Sequence, residues 1–126
     1  ALSRIDGFDV LPGPETVKFT FQMNDEEKRE AARFWSGFFR LAADTAVQGR
    51  YDLLILDELV GAISLGMVPE DEALTFLRTR PADLEVVLTG RSPSPELLAL
   101  ASYISEIHAV RHPYESGLAA RRGIEF

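Results

Sequence analysis

The stretch that decides the fold is "YDLLILDELVGAISLG", Tyr51 to Gly66. Leu53 to Leu56 is an uninterrupted aliphatic run, the mark of a β-strand buried on both faces. It ends abruptly in two carboxylates, Asp57 and Glu58. A short helix is expected over about Val60 to Leu65, closed by a turn at Gly66. An apolar strand that delivers two adjacent acids to its carboxyl end needs a reason for them.

Downstream, Pro69 suits a first helical turn, and Glu70, Asp71 and Glu72 suit the positive end of a helix reaching Arg78. A second aliphatic strand is read over Leu84 to Leu88, leaving through the polar residues Thr89, Gly90 and Arg91. A helix over about Pro95 to Ala101 and a strand near Ile104 to Val110 follow. Upstream, Ala31, Phe34, Trp35, Phe38, Phe39, Ala42 and Ala46 recur at helical spacing, predicting a helix from about Asp25 to Gln48. Asn24 and Glu27 have the spacing of a capping box at its start, and Gly49 marks its end. Residues 1–24 carry short β-prone pieces broken by Pro12, Gly13 and Pro14. Within them Phe19 and Phe21 would share one side of an extended segment.

Strands alternating with helices predict an α/β fold, a doubly wound and mostly parallel sheet with right-handed crossovers. With 126 residues and no linker or repeat, one domain over 1–126 is expected. The formal charge of −7 argues against a protein that tracks a nucleic-acid duplex. No apolar run approaches the roughly 18 residues of a membrane span. The absence of cysteine fits a reducing compartment, so a cytoplasmic location is expected. The chain begins at Ala1 without a methionine, which leaves open a fragment or a processed product of something longer.

In parallel α/β sheets ligands bind beyond the carboxyl ends of the strands. Asp57 and Glu58 stand at one such end and Thr89-Gly90-Arg91 at another. Mg²⁺ is a hard ion that takes oxygen donors, so an acid pair there can hold it against phosphate oxygens. Arg91 is a permanent cation able to meet an oxyanion with two parallel bonds. The plainer alternative is that the acids cap the helix that follows. The Gly-x-x-x-x-Gly-Lys-Ser/Thr loop that would cradle a phosphate is missing: the lysines are Lys18 and Lys28, and neither has glycine neighbours. His108 and His112 have no further ligands spaced for a metal and are read as structural.

"LLILDEL", "LRTRPADLEVVLTGR" and "SEIHAVRHPYESGLAARRGIEF", in this order, resemble the P-loop type of ATP:corrinoid adenosyltransferase (cob(I)yrinic acid a,c-diamide adenosyltransferase). "KFTFQ" is similar to that family's "GFTW" segment. The resemblance runs from about Phe8 to Phe126. It covers the later two-thirds of a typical member, whose first strand, phosphate loop and following helix have no counterpart in these residues.

The resemblance implies a P-loop nucleotide-hydrolase or RecA-like fold, truncated at its N-terminus, in a cytoplasmic homodimer. It implies transfer of the 5′-deoxyadenosyl group from ATP to the Co(I) of a corrinoid, with triphosphate expelled. It assigns Asp57 and Glu58 to Mg²⁺, Arg91 to the nucleotide, and Phe19 and Phe21 to the lower face of the corrin. A reductant protein such as a flavodoxin is an implied partner. Departures from the family pattern are Phe21 where Trp is usual, Val60 and Gly61 where an aromatic is usual, and Ala101-Ser102 in place of Ala-Asp.

The first reading is therefore a corrinoid adenosyltransferase, with these 126 residues alone expected to be inactive for want of the phosphate loop. The alternative is a non-catalytic relative that binds a corrinoid or a partner subunit.

Overall fold

A computed structural model describes residues 2–14 and 20–123. Two short strands, β1 (Leu53–Leu56) and β2 (Glu85–Leu88), pair in parallel, with Leu53 opposite Glu85 and Leu56 opposite Leu88. Helix α1 (Asp25–Ala46) precedes β1; α2 (Leu59–Ser64) and α3 (Glu70–Thr79) connect the strands; α4 (Pro95–Leu100) follows β2. This is a mixed α/β chain built on a small parallel sheet.

Helix α1 starts where its sequence says it should. The Asn24 side chain accepts the Glu27 N–H and the Glu27 carboxylate accepts the Asn24 N–H, both at 2.9 Å, a complete capping box. Its buried stripe is Phe39, Ala42, Ala43 and Ala46, at the spacing of one helical face. Phe34, Trp35 and Phe38 form an aromatic group beside that stripe, with ring centroids 5.2 to 6.0 Å apart. The small residues let α1 lie close, and Ser36 closes the contact by donating to the Met67 carbonyl at 3.0 Å.

The core joins Phe39 and Ala43 of α1, Leu59 of α2, Val68, and Ala73 of α3, with Leu56 and Leu88 of the sheet packed against it. The Phe39 and Phe76 rings meet edge to face at 6.0 Å. Ser94 caps α4, accepting the Leu97 N–H at 3.1 Å, and donates its hydroxyl to Glu70 at the start of α3. Helices α3 and α4 are thereby tied to one another. At the other end of β1, the Tyr51 hydroxyl donates to Asp9 at 2.8 Å and pins the N-terminal segment.

Three expectations are corrected. The strands are half-buried on one face and open on the other: Leu53, Ile55 and Val87 are 49%, 46% and 43% exposed, because the described helices pack on the side of Leu56 and Leu88. Residues Ile104 to Val110 form no strand, and Tyr103, Ile104, Ile107 and Val110 lie exposed without a ladder partner among the described residues. Their β-propensity needs a neighbouring edge to become a strand, and none is paired to them. Before α1, residues Thr20–Gln22 make a 3₁₀ turn rather than an extended piece. Phe19 lies outside the described residues.

Candidate functional site

The site is built where the two strands end. One step beyond the last ladder pair, Leu56 with Leu88, stand Asp57 and Thr89. The Thr89 hydroxyl donates to Asp57 Oδ1 at 2.7 Å and accepts the Glu58 N–H at 2.8 Å. Its N–H donates to the Leu56 carbonyl at 3.3 Å, and its own carbonyl accepts the Val60 N–H at 3.2 Å. Every polar group of Thr89 is thus committed to the segment from Leu56 to Val60.

Glu58 occupies the left-handed region, φ 55° and ψ 21°, where residues other than glycine are uncommon. That turn lets the chain pass from β1 into α2 without a linker. Glu58 is the residue at the head of α2, yet its side chain makes no capping bond there. The helix-cap explanation of this acid therefore fails. Gly61 lies under it: a Cβ at that position would stand 3.3 Å from Glu58 Oε2. Asp57 and Glu58 are both exposed, and neither is ion-paired among the described residues. Two hard oxygen donors stand together at a strand end, open to solvent.

Arg91 follows two residues after Thr89 and is exposed. Phe21 is 81% exposed on its 3₁₀ turn. The structure thus brings Asp57, Glu58 and Thr89 together, while Phe21 belongs to a separate segment ahead of α1. No group of three or more His, Asp or Glu side chains capable of holding a metal occurs among the described residues. His112 accepts the Tyr114 N–H through Nδ1 at 3.2 Å and serves as a cap. Thr89, read from the sequence only as part of a polar exit, is the residue the structure adds to the acid turn. The signal lay in the parallel register, which sets it beside Asp57.

A small parallel sheet with helices between and after its strands defines a mixed α/β protein. The family model for "ATP:corrinoid adenosyltransferase BtuR/CobO/CobP" matches residues 6–126, so the chain belongs to this family. It is 31% identical over 110 residues to "Corrinoid adenosyltransferase CobA" of Salmonella typhimurium, covering 86% of this chain and 54% of that protein. It is 35% identical over 112 residues to a corrinoid adenosyltransferase of Pseudomonas aeruginosa, covering 86% of this chain and 52% of that one. The Escherichia coli K12 corrinoid adenosyltransferase is 31% identical over 110 residues. The chain spans about half the length of the curated relatives it matches. No helix among the described residues is long and apolar enough to cross a membrane.

Proposed function

We propose that this chain is the acid-pair portion of an enzyme that transfers the 5′-deoxyadenosyl group of ATP to the Co(I) of a corrinoid. The observation that carries this reading is the exposed pair Asp57 and Glu58 at the end of a parallel strand, with Glu58 making no capping bond, within a family match over residues 6–126. In the reaction a Co–C5′ bond forms with the electron pair of Co(I), and the C5′–O bond breaks as triphosphate leaves. The protein's task is to bind, orient and supply electrostatics.

Asp57 and Glu58 are the residues that would hold Mg²⁺. Their chemistry fits: both are carboxylates, both are exposed, and a two-acid site suits an ion that keeps several waters and takes substrate phosphates. Bound there, the ion would supply positive charge for the leaving triphosphate. Arg91 adds a permanent cation for the same anion. Phe21, with Phe19, would set an apolar ring against the lower corrin face, excluding water and an axial base and so easing reduction to Co(I).

The complete unit in this reading is a doubly wound P-loop sheet of the RecA-like kind, a cytoplasmic homodimer served by a reductant protein such as a flavodoxin. The phosphate cradle is not among these 126 residues, so they are expected to be inactive alone. The deciding experiment follows the absorbance of adenosylcorrinoid in the form that includes a phosphate loop. Asp57→Asn is expected to lower turnover about tenfold or more and to weaken the dependence on Mg²⁺. Unchanged kinetics would remove Asp57 from the site.

A further inference from the structure

We infer that Thr89 is the positioning residue of the acid pair, a residue that acts on the metal through Asp57 and Glu58 rather than by touching it. The inference rests on the reading of those two carboxylates as the metal-holding acids. Four bonds support it. Thr89 donates to Asp57 Oδ1 and accepts from the Glu58 N–H through one hydroxyl, while its main chain bonds Leu56 and Val60. A carboxylate at a strand end, left to itself, turns about χ1 and χ2. The hydroxyl ties one oxygen of Asp57 and leaves Oδ2 to a ligand. The same hydroxyl gives the Glu58 N–H an acceptor while that residue sits at φ 55°, a strained conformation that persists only where the surroundings hold it.

The residue type matters. What it needs is the hydroxyl, which makes both side-chain bonds; the β-branch only narrows χ1 further. Gly90 then permits the close approach: at φ 138°, a Cβ on it would stand 2.7 Å from Val60 Cβ and 3.0 Å from the Gly61 nitrogen. Thr89 and Gly90 together form a latch between the end of β2 and the acid turn. Outer-shell groups that orient metal-holding side chains are worth about 10–100-fold in metal affinity.

Four variants of the full chain test this: Thr89→Val, which keeps the shape and loses the hydroxyl, Thr89→Ser, which keeps the hydroxyl, and the acid-pair variants Asp57→Asn and Glu58→Gln. Mn²⁺ alone is the probe, titrated while the free ion is followed by electron paramagnetic resonance. Amide exchange at Glu58, read by NMR without metal, is the second measurement. Thr89→Val is expected to speed exchange at Glu58 and to weaken Mn²⁺ binding about tenfold. Thr89→Ser is expected to stay within about twofold of the native chain in both, on the reasoning that the oriented hydroxyl is what counts. If Thr89→Val binds Mn²⁺ as well as the native chain while Asp57→Asn does not, the inference is overturned and the acid-pair reading stands. A serine variant as impaired as the valine one overturns it as well. Should Asp57→Asn and Glu58→Gln both leave Mn²⁺ binding unchanged, the metal reading itself falls, and the inference with it. Where Thr89→Val does not fold, Thr89→Ala takes its place in the same comparisons.

Discussion

Gly90 lies so close beneath Val60 that a Cβ added to it would come within 2.7 Å of the Val60 Cβ, tighter than packed side chains tolerate. The contact sits next to the acid turn and joins the exit of β2 to the first turn of α2. Gly90→Ala must either push α2 away or twist the loop, and its φ of 138° is itself unfavourable for alanine. Overpacking and strain together predict a loss of about 2–4 kcal/mol in unfolding free energy. Urea titration measures it, and a variant as stable as the native chain would show that the two segments do not approach this closely.

Leu84, the residue just before β2, is 2% exposed and is the largest side chain fully enclosed among the described residues. Its N–H also bonds the Pro81 carbonyl at 3.1 Å, so it anchors the turn that leads into the strand. Leu84→Ala leaves a cavity that this fixed turn cannot readily fill. A loss of about 2–5 kcal/mol is expected in the same titration. Leu53→Ala, on the open face of the sheet at 49% exposure, is expected to cost less than half as much, which separates burial from strand membership.

Arg40 of α1 and Glu72 of α3 meet through two bonds, Nε to Oε2 at 2.7 Å and Nη2 to Oε1 at 2.5 Å. The hydrogen bond from Arg40 holds the Glu72 carboxyl below its ordinary value, with burial opposing and the arginine's charge adding. A depressed acid contributes stability above its unfolded value and loses it as pH falls through the folded one. The gap in urea midpoint between the native chain and Glu72→Gln is therefore expected to be full above the ordinary value of 4.5 and to close as pH falls below it. A gap that is the same at pH 7 and in acid would mean that the pair's charge contributes nothing. Both side chains are substantially exposed, so added salt should narrow the gap at neutral pH.

What could be read from the chain, and what could not, follows the range of the interactions. The capping box at Asn24 and Glu27 spans three residues, and the helix begins there as its sequence predicts. The strand Leu53–Leu56 and the acids behind it were legible because an aliphatic run is a local pattern. Thr89 is different: its hydroxyl meets Asp57 across 32 positions, and only the parallel register brings them together. The segment Ile104 to Val110 failed in the opposite way. Its residues favour a strand, but a strand is a pairing, and composition does not tell whether an edge is at hand. Leu53 and Ile55 were expected inside for a similar reason, since an aliphatic run does not reveal whether both faces are covered.

Phe21 offers the sharpest separation between packing and function. At 81% exposure on a 3₁₀ turn, its ring contributes little buried area, so Phe21→Ala is expected to shift the unfolding free energy by less than about 0.5 kcal/mol. An exposed aromatic ring that serves only the fold would then have no consequence for turnover. If instead the ring presses on the corrin and keeps an axial base away, its loss acts on the reduction step and not on the alkyl transfer. The variant, in the form that carries a phosphate loop, should convert Co(II) corrinoid more slowly while handling pre-reduced Co(I) at nearly the native rate. Stopped assays with each cobalt state, run on the same preparation, give the ratio directly. Equal losses with both states would place Phe21 among the residues that merely shape the surface, and native rates with both would take it out of the site altogether.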